Sequence, residues 1–275
     1  PNIATFDDEV LDPSLTLEWD AADDMMVYAS YKESFRSGGF NATAAALRLP
    51  GETFGPDFTF GREDITAYEA GFKGDFSDRV RLNASVYYYD FSNKQVTLGT
   101  NPLIATERVI VNTDDELYGF EVDGQFVLNK NFTANASYAL IDGKAGDTIN
   151  PLDPTDIRSN PELQGTPKNT FNVGLDYDGN IGGKDVFGNL SYSYKDSILS
   201  IPENDLRLPS VNLVTGRIGI NLPTANGNEA TLAIWGTNLL DEEYLIDSLP
   251  FESFAYRTDV YGQPRSYGVT LGYRF

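Results

Sequence analysis

Residues 265–275 read RSYGVTLGYRF and alternate strictly between apolar or aromatic residues and small or polar residues. Because successive side chains of a β-strand point to opposite faces, this segment would carry one apolar row and one polar row. The apolar row consists of Tyr267, Val269, Leu271, Tyr273 and Phe275. A strand of a soluble β-sandwich alternates in the same way, so the segment alone leaves open what covers its apolar face.

The same alternation recurs along the chain, for example in 118–128 (YGFEVDGQFVL) and 132–140 (FTANASYAL). The rows opposite the apolar residues are rich in Ser, Thr, Asn, Gly and charged residues, which are too polar for a shared dry core. Such strands favour hydrocarbon on one side and water on the other. About eleven segments are predicted to be strands: 13–20, 25–36, 63–75, 80–97, 108–128, 132–142, 168–178, 186–196, 210–222, 229–238 and 265–275.

The connections between these segments alternate without exception between short and long. Outer-membrane barrels show this asymmetry, with short periplasmic turns and long extracellular loops. The pattern therefore predicts an all-β fold, an antiparallel transmembrane β-barrel with its long loops outside the cell. Because an odd number of antiparallel strands cannot close on itself, and open edges in lipid leave backbone groups unpaired, further strands from another segment are expected.

Composition excludes several classes of function. The 275 residues include no Cys and no His, which removes thiolate sites, the usual general base and the commonest metal ligand, so we expect neither an enzyme nor a bound cofactor. With 20 Lys and Arg against 41 Asp and Glu, the net charge of −21 argues against a nucleic-acid partner. The acidic clusters at 7–9 and 153–156 lack the spacing of a calcium loop and are interpreted as solvated surface, which divalent ions can bridge to lipopolysaccharide.

Seven segments occur in an order and spacing that resemble a known family: YASYKESFRSGGFN (28–41), YEAGFKGD (68–75), VYYYDFSNKQV (86–96), YGFEV (118–122), GTPKN (165–169), IWGTNLLDEEY (234–244) and PRSYGVTLGYRF (264–275). Together they resemble the C-terminal β-barrel half of a TonB-dependent outer-membrane receptor of the siderophore-receptor type. The resemblance extends from about residue 12 to the end of the chain.

This resemblance implies a plugged barrel of about 22 strands, of which residues 1–275 would form the C-terminal part. The N-terminal strands and the plug would lie outside this chain. Such a receptor binds a scarce ligand, such as a ferric siderophore, and imports it with energy transmitted to the plug through the TonB complex. The closing strand would also be recognised by the barrel-assembly machinery, through Tyr267, Val269, Leu271, Tyr273 and Phe275.

Three further groups of residues receive expected roles. Polar residues of the strands are expected to face the lumen: Glu69, Lys73, Glu121, Asp123, Asn172, Asp176, Lys195 and Arg217. Aromatic and Arg residues of the long loops suit a planar or anionic ligand: Phe40, Arg48, Phe54, Phe58, Phe60, Arg62, Phe251, Phe254, Tyr256, Arg257 and Tyr261. Aromatic residues near strand ends are expected at the lipid headgroups: Trp19, Tyr87, Tyr88, Tyr89, Tyr192, Tyr194 and Tyr273.

Two alternatives remain open at this stage. The first is a passive porin or a structural outer-membrane subunit that associates with other chains. The second is a soluble β-sandwich or lectin-like binding module, in which a second sheet would cover the apolar rows. The sequence does not identify the ligand of an importer.

Overall fold

Every regular element among the described residues is a β-strand. The computed structural model describes residues 7–41, 59–100, 108–159, 162–201, 205–224, 227–251 and 256–274. Eleven strands form the main sheet: β1 (Ser14–Ala22), β2 (Met25–Arg36), β5 (Glu63–Asp75), β6 (Val80–Gly99), β7 (Arg108–Val127), β8 (Phe132–Lys144), β11 (Asn169–Ile181), β12 (Lys184–Lys195), β15 (Val211–Pro223), β16 (Glu229–Thr237) and β19 (Ser266–Arg274). Eight short strands form four hairpins: β3 (Gly39–Phe40) with β4 (Thr59–Phe60), β9 (Thr148–Asn150) with β10 (Asp153–Arg158), β13 (Ile198–Ile201) with β14 (Leu206–Leu208), and β17 (Leu245–Phe251) with β18 (Tyr256–Tyr261).

The main sheet is an antiparallel meander in which each strand pairs with the strand of the same sheet that comes next along the chain, such as β2 with β5. All eleven predicted strands are confirmed, and their ends differ from the predicted ones by three residues or fewer. The four hairpins were not predicted, and they lie within long connections. β1 and β19 are the two edges, and no pairing between described residues joins them. None of the described segments folds into a helix that would reach across a lipid bilayer.

Across the middle of the sheet, the register places the apolar rows of the eleven strands on one face, the apolar face. Residues paired across antiparallel strands share a face, so a row can be followed from strand to strand. One such row runs Trp19, Val27, Phe72, Ala84, Val122, Tyr138, Phe171. The row consists entirely of apolar or aromatic residues.

The apolar face is exposed rather than packed against another layer. Leu17 is 64% exposed on β1, Ile218 is 55% exposed on β15 and Leu271 is 80% exposed on β19. A β-sandwich would bury these residues under a second sheet, and none of the described segments forms one over this face. The soluble-sandwich alternative is therefore contradicted.

Buried apolar residues are few and lie mainly at the end of the sheet that carries the long connections, the loop end. Leu98 and Val109 are each 4% exposed and pair between β6 and β7. Leu199 and Leu208 belong to the hairpin β13–β14 and are also buried. The described part of the protein thus packs a small core beside its loops and leaves the middle of the sheet one layer thick.

Asn238, in the segment IWGTNLLDEEY, ties the end of β16 to the segment that enters β19. It adopts a positive φ of 49° and is 4% exposed. Its amide nitrogen donates to the carbonyl oxygens of Glu242 at 2.8 Å and Gln263 at 3.2 Å, and its Oδ1 accepts from the Glu242 amide at 2.9 Å. One side chain thereby satisfies three backbone groups of a buried turn.

Candidate functional site

The face opposite the apolar rows, the polar face, carries all eight residues that the sequence predicts to face the lumen. Their register partners are themselves mostly polar or small, as with Glu121 opposite Ser85 and Asp176 opposite Asn189. The register of the strands places all eight side chains on this face, because alternate residues of a strand share a face: Glu69, Lys73, Glu121, Asp123, Asn172, Asp176, Lys195 and Arg217.

Three of the predicted lumen-facing carboxylates, Glu69, Asp123 and Asp176, accept hydrogen bonds from neutral donors. The Tyr28 hydroxyl donates to Glu69 at 2.5 Å, and the Asn83 amide donates to Asp123 at 3.0 Å. Asp176 accepts from two amides on neighbouring strands, Asn135 at 2.7 Å and Asn189 at 2.6 Å. These cross-strand hydrogen bonds fix the side chains and leave the face acidic.

Two of the predicted lumen-facing cations, Lys73 and Arg217, contact aromatic rings. The Lys73 ammonium lies 5.8 Å from the centre of the Tyr28 ring, and the Arg217 guanidinium lies 5.4 Å from the Phe187 ring. Such contacts are weak at exposed sites. The Lys195 side chain forms no ion pair and no hydrogen bond with the described residues.

Several glycines of the polar face are covered by aromatic side chains from the neighbouring strand. Gly119 pairs with Tyr87, and a Cβ added to Gly119 would lie 2.2 Å from Cζ of that tyrosine. Trp235 covers its partner Gly268 in the same way. Tyr87 therefore packs on the polar face, where its hydroxyl donates to Glu121 at 3.4 Å. Tyr89 lies on the same face, with its ring centre 5.2 Å from that of Tyr87. The expectation that Tyr87 and Tyr89 lie among the lipid headgroups is wrong.

The row expected to be read by the barrel-assembly machinery lies on the apolar face of the edge strand β19. Tyr267 is 81% exposed and Val269 is 65% exposed, while Leu271 and Tyr273 continue the row. Phe275 lies outside the described residues. The row is accessible along its whole described length.

A cavity of about 810 Å³ opens at the loop end, between the ends of β6 and β7 and the connections that follow β8 and β12. We call it the loop-end cavity. Its polar lining residues include three cations and two carboxylates, although the protein as a whole is strongly acidic: Lys94, Arg108, Arg158, Asp115 and Glu162. Gln95, Thr113, Gln164 and Ser200 add neutral polar groups.

Asp115 organises one side of the loop-end cavity. Its side chain is 2% exposed and accepts from the Lys94 ammonium at 2.6 Å and from the Gly146 amide at 3.0 Å. Because a buried carboxylate needs a partner, this pair fixes the Lys94 side chain at the cavity wall. Arg108 lines the same cavity, is exposed, and forms no ion pair within the described residues.

Two further ion pairs hold the segments around this cavity. Arg158 and Asn150 donate to Asp156 and hold the pKa of its carboxyl below the ordinary value. Arg207 donates two hydrogen bonds to Glu162, at 2.7 and 3.1 Å, and lowers the pKa of that carboxyl. Both carboxylates are consequently ionised well below neutral pH.

Among the described residues, none of those predicted to bind ligand lines the loop-end cavity. Phe40, Phe60 and Arg62 lie by the hairpin β3–β4, and Arg62 pairs with Asp64 at 2.9 Å. Tyr256, Arg257 and Tyr261 lie on β18, near the other edge of the sheet, and Arg257 pairs with Asp259 at 2.8 Å. The predicted residues Arg48, Phe54, Phe58 and Phe254, together with the side chain of Phe251, lie outside the described residues.

The described ligand-binding candidates thus fall into two separate groups. One lies in the connection between β2 and β5, and the other lies in the connection between β16 and β19. Sequence reasoning missed Lys94, Arg108 and Arg158. Each of the three is a basic residue near the loop end of a strongly acidic chain. That feature could have identified them, but the prediction considered only Arg residues that lie near aromatic residues in the long loops.

The acidic clusters have structural contacts where they are described. Asp153 accepts from the amide and hydroxyl of Thr155, at 3.1 and 2.6 Å, and Asp156 pairs with Arg158. Within the described ranges, no group of three or more His, Cys, Asp or Glu residues is placed to hold a metal ion.

The fold is similar to that of several solved structures. The chain aligns with the ferric yersiniabactin uptake receptor FyuA from Yersinia pestis at a TM-score of 0.70 and 14% identity, covering 95% of this chain and 37% of that one. It aligns with BauA, the ferric preacinetobactin receptor from Acinetobacter baumannii, at 0.69 and 17%, covering 96% and 36%. For the copper transporter OprC the values are 0.66 and 16%, covering 94% and 38%. The chain therefore spans little more than a third of these proteins.

No curated protein sequence matches the chain. The family model described as "TonB dependent receptor-like, beta-barrel" matches residues 2–239. The matched region includes ten of the eleven strands of the main sheet and both sides of the loop-end cavity. This protein therefore belongs to the TonB dependent receptor-like, beta-barrel family.

Proposed function

We propose that this chain forms the C-terminal part of the barrel of an outer-membrane receptor. The receptor binds a scarce ligand at its extracellular side and imports it with energy transmitted through TonB. The observation that carries the proposal is the eleven-stranded meander with one apolar face that no described segment covers, in a chain that belongs to this family. An exposed row of Leu, Ile and aromatic residues across eleven strands is costly in water and favourable in hydrocarbon.

In this proposal the apolar face contacts lipid and the polar face lines the lumen. The loop end is extracellular, near lipopolysaccharide, and the short turns are periplasmic. The two edge strands then require partners, since unpaired backbone groups in a bilayer cost several kcal/mol each. N-terminal strands and a plug domain would supply the missing wall and the contact with TonB, and the barrel-assembly machinery would read the β19 row.

The loop-end cavity is the proposed ligand site within this part of the receptor. Three cations, one of them without an ion pair among the described residues, favour an anionic ligand such as a ferric siderophore. Siderophore receptors and a copper transporter share the fold, so the fold alone leaves the choice of ligand open.

Uptake measurements test this function. A strain whose only receptor for a labelled ferric siderophore is the full-length protein containing this chain should accumulate the label under iron limitation. An uncoupler of the proton-motive force, or loss of TonB, should abolish accumulation, while binding to the cell surface persists. Accumulation that is insensitive to the uncoupler would instead indicate the passive porin. A panel of ferric siderophores and copper complexes in which none is bound would overturn the importer.

A further inference from the structure

A second cavity, of about 410 Å³, lies on the polar face and shares no lining residue with the loop-end cavity. Its floor consists of two rows of paired residues on β11, β12 and β15. Thr170, Lys195 and Val211 form one row, and Asn172, Ser193 and Leu213 form the other. Residues 244–246, from the connection between β16 and β17 and the start of β17, form its side wall. We call it the Lys195 pocket.

The charge of this pocket is unusual for this protein. Its lining contains Lys195 and no Asp or Glu, although 41 of the 275 residues are acidic. Other lysines at this end of the sheet are paired, as Lys94 is with Asp115 and Lys168 is with Asp142, each at 2.6 Å. The Lys195 ammonium therefore faces the pocket without a counter-charge from the described residues.

Local geometry keeps nearby carboxylates away from Lys195. Asp196 follows it directly in the chain and so points to the opposite face. There the Asp196 carboxylate accepts from the Tyr194 hydroxyl at 2.6 Å and from the Asn169 side-chain amide at 2.6 Å. The Lys195 ammonium and the Asp196 carboxylate therefore lie on opposite faces of the sheet, and the ammonium is available to a bound anion.

The remaining lining has both hydrogen-bonding and apolar parts. Thr170 and Ser193 place hydroxyl groups beside Lys195, and these can donate to a carboxylate oxygen. Val211, Leu213 and Ile246 supply an apolar side. A ligand that contacts both the hydrogen-bonding part and the apolar part of the pocket carries one carboxylate attached to an apolar group.

We propose that the Lys195 pocket binds a small organic acid, with its carboxylate on the Lys195 ammonium and its apolar part against Val211 and Leu213. This site goes beyond the proposed import function, because binding here requires neither TonB nor the loop-end cavity.

The test uses the full-length receptor containing this chain, purified in detergent micelles, and two fluorinated probes of nearly equal shape. Fluorine NMR line broadening reports binding of 4-fluorobenzoate, which carries the charge, and of 4-fluorobenzamide, which does not. Lys195→Gln removes the cation, and Lys195→Arg retains it. Lys184→Gln is the matched control, because Lys184 is exposed at the other end of the same strand. Heat-modifiable electrophoretic mobility checks that each variant is a folded barrel.

Wild-type protein and the Lys184→Gln variant should bind the benzoate and bind the benzamide much more weakly. Loss of a charge-assisted hydrogen bond should raise the dissociation constant of Lys195→Gln for the benzoate by about tenfold or more, with Lys195→Arg between the two. Equal binding of both probes, unchanged binding by Lys195→Gln, or no binding to the folded wild-type protein would each overturn the proposal. An uptake failure with intact benzoate binding would affect the import function alone.

Discussion

Gly119 has no room for a side chain, because the end of the Tyr87 ring occupies the space where a Cβ would stand. The alternation of the sequence predicts that both residues lie on a strand, and it predicts which positions share a face. It does not predict that an aromatic ring covers a glycine across the strand, because that contact depends on register. The same limit explains Lys195, which was expected on the polar face but not in a pocket, since residues 244–246 reach it from a distant connection.

Gly119→Ala should destabilise the full-length receptor by about 1–3 kcal/mol, because the ring of Tyr87 must leave its place and lose its contact with Glu121. The free energy of unfolding in urea, measured in lipid vesicles, reports the change. Gly174→Ala is the matched control: it also lies within a strand on the polar face, and an added Cβ would have only one neighbour, 4.0 Å away. Equal effects of the two substitutions would show that the Tyr87 contact is unimportant.

At the scale of elements, the long strands were predictable and the hairpins were not. Residues 25–36 and 63–75 form strands at the predicted bounds because their alternation is a local property of the sequence. The hairpin β17–β18 contains Pro250 and an irregular register between Leu245 and Asp247, so no period of two marks it. The loop-end cavity was missed for a related reason, because Lys94 and Arg158 become neighbours only when β6 and the β9–β10 hairpin have folded.

The hairpin β17–β18 should depend on pH through Asp259. The Ser248 hydroxyl and the Arg257 guanidinium donate to its carboxylate and hold the pKa of Asp259 below the ordinary value. A lowered folded-state pKa means that the added stability is present above the unfolded-state pKa and is lost as pH falls through the folded-state value. The amides paired between β17 and β18 report this change, apart from the Ser248 amide, which donates to the Asp247 carboxylate at 2.8 Å. Their protection from hydrogen exchange, corrected for the intrinsic rate, should therefore fall between pH 5 and pH 3, roughly the range of carboxyl titration.

Asp259→Asn provides the control for this pH effect. The variant cannot ionise at this position, so its protection at neutral pH should be weaker and should change less over the same range. A wild-type hairpin whose protection is independent of pH would contradict the assigned role of Asp259.

At the scale of the whole molecule, each face of the sheet meets a different solvent in the proposed receptor. Adjacent residues of β19 test this assignment, since Val269 lies on the apolar face and Thr270 on the polar face. Val269→Arg should destabilise the full-length receptor in lipid vesicles by about 2–4 kcal/mol if the position is near the bilayer midplane, and Thr270→Arg by much less. Urea unfolding measures both. Equal costs, or a larger cost for Thr270→Arg, would show that the faces are assigned the wrong way round.

Sheet order that equals chain order also has a kinetic consequence. Each strand meets its neighbour across one turn or one loop, so the entropy lost in each pairing step is that of a single connection. The wall can grow from either end by adding one strand at a time, with no segment threading past another. Only the encounter of the first and last strands of the complete barrel would then bring together residues from opposite ends of a polypeptide.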